Sequence, residues 1–314
     1  GLSGVYVGFM IKQKYDVDIF EKSREVGGRM STRVDPPFAF DHGAQFFRIK
    51  TVEFKKFASK LFDERIIRPW NFRHAHFKGN NLKNIEMLKD NFFVGVPNMD
   101  SIVKHISKSN RVVLSTKIIG LKKKKNKWQL YDQNKKTYAE YDWVILTLPS
   151  EQSLELLTTE ISFYQLVKKI KMKGCFSLMV GNRESIVLDY DAATIEKSDI
   201  AWLAMNDSKP CRQYKNSFLI NSSFEFANRK LNAPRQEILE RLLNTTSKLI
   251  KHELSNSTMI KLHQWRYVEA KNYPNQNYFI DHNQKVAVCG DWLVNSRVEG
   301  AFISAHQLSK EIMA

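Results

Sequence analysis

Cysteine is scarce in this chain. Only Cys175, Cys211 and Cys289 occur in 314 residues, widely spaced and in no C-x-x-C arrangement. That excludes a disulfide scaffold and a thiolate metal cluster, and fits reduced, mostly structural thiols. Long apolar runs are also absent. None approaches the roughly 20 residues a membrane-spanning helix needs, and the N-terminus shows no signal-peptide pattern. A soluble, cytoplasmic protein without a membrane partner is expected. There is no internal repeat and no low-complexity linker. His74-Ala75-His76 would point two rings to one face of a strand, but no cysteine or carboxylate cluster stands beside them. Packing is their expected role, and no metal is expected.

Acidic residues are outnumbered. Lys and Arg total 49 against 33 Asp and Glu, a formal net charge of +16. Such a balance suits nucleic acid or an anionic surface, yet the cations are mostly scattered lysines. The one dense run, Lys122-Lys123-Lys124-Lys125-Asn126-Lys127, lies between two strand-like segments. It reads as a solvated hairpin turn, without interleaved aromatics. No nucleic-acid partner is expected. Part of the positive field favours an anionic cofactor and substrate.

What the chain does contain is most of a dinucleotide-binding fingerprint. The full pattern is a strand, G-x-G-x-x-G opening a helix, then a second strand ending in an acid. Gly1 and Gly4 fit the second and third glycines, with Ser3 between them. Tyr15 to Phe20 fits the second strand, and Glu21 would accept hydrogen bonds from ribose hydroxyls. The first strand and first glycine are missing, so a partial sequence is expected. Gly27-Gly28-Arg29 follows. Paired glycines let backbone approach a ligand closely, and Arg29 can place a forked cation on a diphosphate. Taken singly, each piece is equally an ordinary turn; their order argues for a nucleotide.

The C-terminus repeats this chemistry. Val286 to Trp292 is an apolar strand ending in Gly290-Asp291, and Arg297-Val298-Glu299-Gly300-Ala301 opens a helix. A carboxylate just after a strand can hold a sugar-like hydroxyl. A helix N-terminus offers backbone N–H groups to an oxygen that gains charge. Between the two ends the period changes. Phe54, Phe57, Ala58 and Leu61 recur at helical spacing, as do Met99, Ile102, Val103 and Ile106. Residues 111–149 read as strands, with Trp143 to Pro149 suited to burial on both faces. Residues 150–283 mix strands with a long helix near Pro234. The expected division is a nucleotide-binding domain from 1–48, 92–150 and 284–314, and a second domain from 49–91 and 151–283.

Taken together, Gly1-Leu2-Ser3-Gly4, Phe20-Glu21-Lys22, Val26 to Arg33, Asp41-His42-Gly43-Ala44-Gln45-Phe46-Phe47, Gly95 to Met99, Trp265-Arg266-Tyr267, Gly290-Asp291-Trp292 and Val298-Glu299-Gly300-Ala301 resemble the renalase-like branch of the amine-oxidase superfamily of FAD-dependent oxidoreductases. The words run in the family's order over essentially the whole chain. The resemblance implies an α/β fold like that of p-hydroxybenzoate hydroxylase. A Rossmann-type FAD-binding domain carries an inserted α+β substrate domain with a mixed sheet, and FAD is bound noncovalently. It implies Gly1, Ser3 and Gly4 at the diphosphate, Glu21 at the adenosine ribose and Arg29 near the phosphates, with Lys22 and Gly28 also among the cofactor-binding residues. It implies Gly43, Ala44 and Gln45 beside the isoalloxazine ring, Asp291 at the ribityl chain, and Val298, Glu299, Gly300 and Ala301 at the pyrimidine edge. The segment Asn221 to Phe226 departs from the family's pattern, which bears on the substrate pocket rather than the cofactor.

The same resemblance implies oxidation of a reduced nicotinamide dinucleotide by hydride transfer to flavin N5, with dioxygen as acceptor and hydrogen peroxide as product. A dihydronicotinamide expels hydride with its own nitrogen lone pair, so no acid–base pair is demanded. Catalytic residues are not identified; candidates are Gln45, His263 and Arg266. Trp202, Trp265 and Tyr267 are substrate-side candidates, with core packing the favoured role for the aromatics. Two alternatives stand beside this reading. One is a flavin amine oxidase or desaturase using the same FAD words. The other is a flavin-free basic binding protein.

Overall fold

The computed structural model describes residues 1–314. Its N-terminal helix, Leu2–Ile11, is apolar nearly all round and buried on most sides. Glycine lets it lie close to its neighbours. A Cβ at Gly8 would meet Ile19 Cδ1 at 2.8 Å, and one at Gly4 would meet Thr147 Oγ1 at 2.8 Å. The C-terminal helix, Val298–Met313, packs beside it, with the Tyr6 and Phe302 rings 4.7 Å apart.

Under these helices lie parallel strands. Asp18–Phe20 pairs with Arg111–Val113, and Val144–Leu146 pairs with Val286–Cys289. Neither Asp18–Phe20 nor Val144–Leu146 has a partner on its second edge, so the Rossmann-like layer is in two parts. Of the long apolar run Trp143 to Pro149, Val144–Leu146 are paired. Lys124 and Lys127 pair across the expected hairpin turn.

A seven-stranded mixed sheet forms the second region, ordered Met259–Ala270, Met172–Gly181, Ser217–Ser222, Ile200–Met205, Ala192–Glu196, Phe72–Lys78 and Asn81–Leu88. Side chains alternate across it. The row Leu262, Leu178, Ile220, Leu203, Ala193, Ala75 is buried and packs under Ile238 and Leu242 of the helix Arg235–Ile250. Burying each such aliphatic side chain contributes about 1.5–3 kcal/mol. The adjacent row faces the other region and has a different character, described below.

The expected domain boundaries shift. Tyr278–Asp281 pairs antiparallel with Val286–Cys289, so the chain returns to the Rossmann-like layer by 278 rather than 284. The helix Val52–Asp63, placed by sequence in the second domain, instead stacks Phe57 on Phe302 at 4.9 Å. Its amphipathic stripe, Phe54, Ala58 and Leu61, has its buried partners in the first region. The strand Ser217–Ser222 stops pairing at Ser222, and the helix Phe224–Lys230 follows, capped by the Ser223 hydroxyl. Cys175 and Cys289 are buried in strands, and Cys211 is exposed.

Candidate active site

Two helix N-termini meet at one end of the Rossmann-like layer. The helices Leu2–Ile11 and Val298–Met313 have no side-chain cap, unlike Val52–Asp63 and Phe224–Lys230, which are capped by Thr51 and Ser223. Their first-turn N–H groups have no intrahelical acceptor, and the helix dipoles favour negative charge there. Ser3 Oγ donates to Ala301 O at 3.0 Å and ties the two starts together.

Side chains are missing around this point. Gly28 has φ +58°, and a Cβ on it would meet Gly1 Cα at 3.0 Å. The Gly1 nitrogen lies 3.7 Å from Glu21 Oε2. Glu21 also accepts from Ser23 N at 2.9 Å. The Arg29 guanidinium forks onto Asp291, with Nη1 to Oδ2 at 2.9 Å, and donates to Val268 O at 3.1 Å. A Cβ at Gly43 would collide with the Arg29 carbonyl, and Ala44 N donates to that same oxygen at 2.8 Å. Gly1, Ser3, Glu21, Gly28, Arg29, Gly43, Ala44, Asp291 and Ala301 are thus brought together from the two ends of the sequence.

Other expected site residues make further contacts. Arg29 and Asp291, expected near the phosphates and at the ribityl chain, also pair with each other. Glu299 is buried, and its carboxylate accepts from Thr51 N at 2.7 Å and Thr51 Oγ1 at 2.8 Å. Its side chain caps a neighbouring helix, leaving only its backbone for the helix start. Lys22 is exposed and takes no part in these contacts. Gln45 is buried with its amide turned inward. Its Nε2 donates to Asp41 O and to Gly43 O, the latter at 3.1 Å, and its Oε1 accepts from Lys209 at 3.3 Å.

Sequence reasoning missed the cluster behind Gln45. Lys209 and Arg212 are buried, and both reach the buried Asp41 carboxylate, at 3.1 and 2.6 Å. Burial alone would push Asp41 up, but the two cations outweigh it and hold the carboxyl far below the usual range. Burial pulls Lys209 down to about 8. The available signal was slight: two cations flanking Pro210-Cys211 just after an apolar strand.

On the second region, one row of the sheet faces the Asp41–Gln45 turn. His263, Ser177, Asn221 and Trp202 stand directly opposite one another on adjacent strands and therefore share a face. Ser177 Oγ donates to His42 O at 2.9 Å, and Trp265 Nε1 donates to the same oxygen at 2.8 Å. The Trp265 ring stacks on His42 at 5.2 Å, and His263 meets His42 edge-on at 4.9 Å. Trp202 lies 5.7 Å from Phe46. Burial pulls both histidines down to about 4, helped by Arg33 for each and by Arg235 for His263, so the rings are neutral near pH 7. Arg266 does not join them. It follows Trp265 on the strand, so it points to the opposite face, where it is exposed. Tyr267 packs with a separate core around Val286 and Trp292.

The flavin containing amine oxidoreductase family matches residues 74–313, and the NAD(P)-binding Rossmann-like domain family matches residues 1–64. The chain belongs to the flavin containing amine oxidoreductase family. It is 22% identical to mouse renalase over 343 residues, covering 99% of this chain and 96% of the relative. Among solved structures it resembles a protein assigned as a protoporphyrinogen oxidase from Exiguobacterium sp. 255-15, with TM-score 0.78, 8% identity and coverage of 99% and 96%. It also resembles wild-type putrescine oxidase bound to putrescine, with TM-score 0.71, 9% identity and coverage of 100% and 97%. These likenesses show the fold. The protein is a renalase-like FAD-dependent oxidoreductase, and the glycine-lined meeting of two uncapped helix starts is a fitting place for a dinucleotide cofactor. No helix is long and apolar enough to cross a membrane.

Proposed function

We propose that the protein oxidises a reduced nicotinamide dinucleotide and returns the electrons to dioxygen. FAD, when bound, would supply the two-electron acceptor chemistry by which donor–H, dioxygen and a proton give oxidised donor and hydrogen peroxide. The amides opening Leu2–Ile11, with Gly28 and Arg29, bind the diphosphate. Glu21 holds the adenosine ribose and Asp291 the ribityl hydroxyls. The free N–H groups of Val298, Glu299 and Gly300 would serve the pyrimidine edge, with the Ala301 N–H held by Arg297 O. Gly43 and Ala44 support the ring, and His263, Ser177, Asn221, Trp202 and Trp265 orient the donor and exclude water.

The observation that carries this reading is the chemistry of the sheet row. His263, Ser177, Asn221 and Trp202 include no carboxylate. Arg33 and Arg235 add positive potential at the histidines. An ammonium substrate would find no counter-ion there, whereas an anionic dinucleotide would be attracted. The test is turnover of the FAD-loaded protein with dihydronicotinamide dinucleotide isomers and, in parallel, with primary amines. One peroxide per dinucleotide oxidised is expected. Peroxide from amines alone would replace this reading with amine oxidation.

A further inference from the structure

Lys209 has no role in the function proposed above, yet it is among the most thoroughly buried side chains of the molecule. Its ammonium carries three N–H donors, and three acceptors meet them: Asp41 Oδ2 at 3.1 Å, Asn206 Oδ1 at 3.2 Å and Gln45 Oε1 at 3.3 Å. Its nitrogen also lies 5.5 Å from the centre of the Trp70 ring. Asp41 does not need it for neutrality. That carboxylate already receives Arg212 Nη2 at 2.6 Å, Thr32 Oγ1 at 2.6 Å and Met99 N at 3.1 Å. Asp100, behind Asp41, is paired with Lys104 at 2.9 Å. Burying a second cation costs free energy that an apolar residue of similar size would avoid.

What Lys209 does control is the direction of one amide. A glutamine side chain can turn over and exchange its oxygen and nitrogen. An ammonium beside Gln45 can donate only to the amide oxygen, so Nε2 must face the carbonyls of Asp41 and Gly43. The Gly43 carbonyl is thereby turned inward. The peptide plane it shares with Ala44 is fixed from the other end by the Ala44 N–H on Arg29 O, at 2.8 Å. We propose that Lys209 is a positioning residue for the flavin, acting through Gln45 to set the Gly43–Ala44 peptide against which the ring packs. This rests on the proposed placement of that turn beside the ring. Lys209 comes from the loop after Ile200–Met205 of the large sheet, so the arrangement also links the substrate-side sheet to the flavin-side turn.

The test uses the full chain, with FAD removed and added back. FAD affinity is read from flavin fluorescence, the reduction potential of the bound flavin is measured, and stability is followed separately by melting. K209M and Q45L are each expected to weaken FAD binding about tenfold. The double variant is expected to be no weaker than either single, because both changes break one chain of contacts. In K209M the reduced form should lose about tenfold more affinity than the oxidised form, a fall of about 30 mV. Additive effects would overturn the proposal, as would wild-type affinity and potential in K209M or in Q45L. If K209M fails to fold, Q45L decides, since it leaves every charge in place. A44W checks the underlying placement. If A44W binds FAD normally, the turn is not beside the ring; if only A44W is impaired, the Lys209 inference alone falls.

Discussion

Arg29 and Asp291 lie 262 positions apart and form one forked ion pair, Nη1 to Oδ2 at 2.9 Å and Nη2 to Oδ1. The pair joins the glycine-rich segment after the second strand to the Gly-Asp that ends the last strand. It sits where the two uncapped helices begin. Two of the strongest sequence signals therefore touch, which neither could reveal separately.

Breaking this pair has two separable effects. Asp291→Asn keeps the shape but removes the charge. A hydrogen bond to a charged group contributes about 1.5–3 kcal/mol, and the partial exposure of Arg29 lowers that figure. We expect D291N to lower the melting temperature of the flavin-free protein slightly and to cut FAD content after purification by tenfold or more. Melting curves and flavin-to-protein ratios check the two effects independently.

Gly43 is the most restrictive position in the candidate site. Any Cβ there meets the Arg29 carbonyl oxygen, which is itself held by Ala44 N. Gly43→Ala must push one backbone segment away from the other. Overpacking of this kind costs about 1–3 kcal/mol. Urea denaturation should show that loss, together with weaker FAD binding; Gly79→Ala, at a site with nothing within 4 Å, should leave FAD binding unchanged.

Acid should destabilise the protein through His42 and His263. Burial lowers both folded-state pKa values to about 4, below the ordinary 6.5. At pH values between these the unfolded chain takes protons that the folded chain refuses. Stability is therefore complete above 6.5 and is lost as pH falls towards 4. For the well-buried His42 the loss is on the order of 2–3 kcal/mol. His42→Asn should flatten the pH dependence of urea midpoints across that window, and an unchanged slope would contradict the assignment.

If the substrate is an anionic dinucleotide, Arg33 assists its arrival. Arg33 is exposed and contributes positive potential at both histidines. R33E should raise KM for the dinucleotide several-fold while leaving kcat near wild type, and added salt should shrink the difference. Steady-state kinetics at two ionic strengths check this.

Much of the fold was legible because its signals are local. The apolar strand Val286–Cys289 and the helix Val298–Met313 follow directly from their patterns. The glycines were expected to let backbone approach a ligand; in the fold Gly1 and Gly28 lie close to each other. What was not legible depends on distant partners. Lys209 and Arg212 resemble surface cations until the Asp41 carboxylate, far away in sequence, is placed over them. Trp265, Arg266 and Tyr267 were grouped as one motif, although strand alternation alone separates Arg266 from Trp265. The row His263, Ser177, Asn221 and Trp202 comes from four strands whose register no sequence pattern supplies.

The most direct test of the account is an anaerobic titration of the FAD-loaded protein with a dihydronicotinamide dinucleotide isomer, followed by admission of air. The account predicts that the visible flavin absorption bleaches stoichiometrically, then returns with one peroxide formed per flavin. Absorption that is unchanged by every dinucleotide isomer but bleached by a primary amine would contradict it.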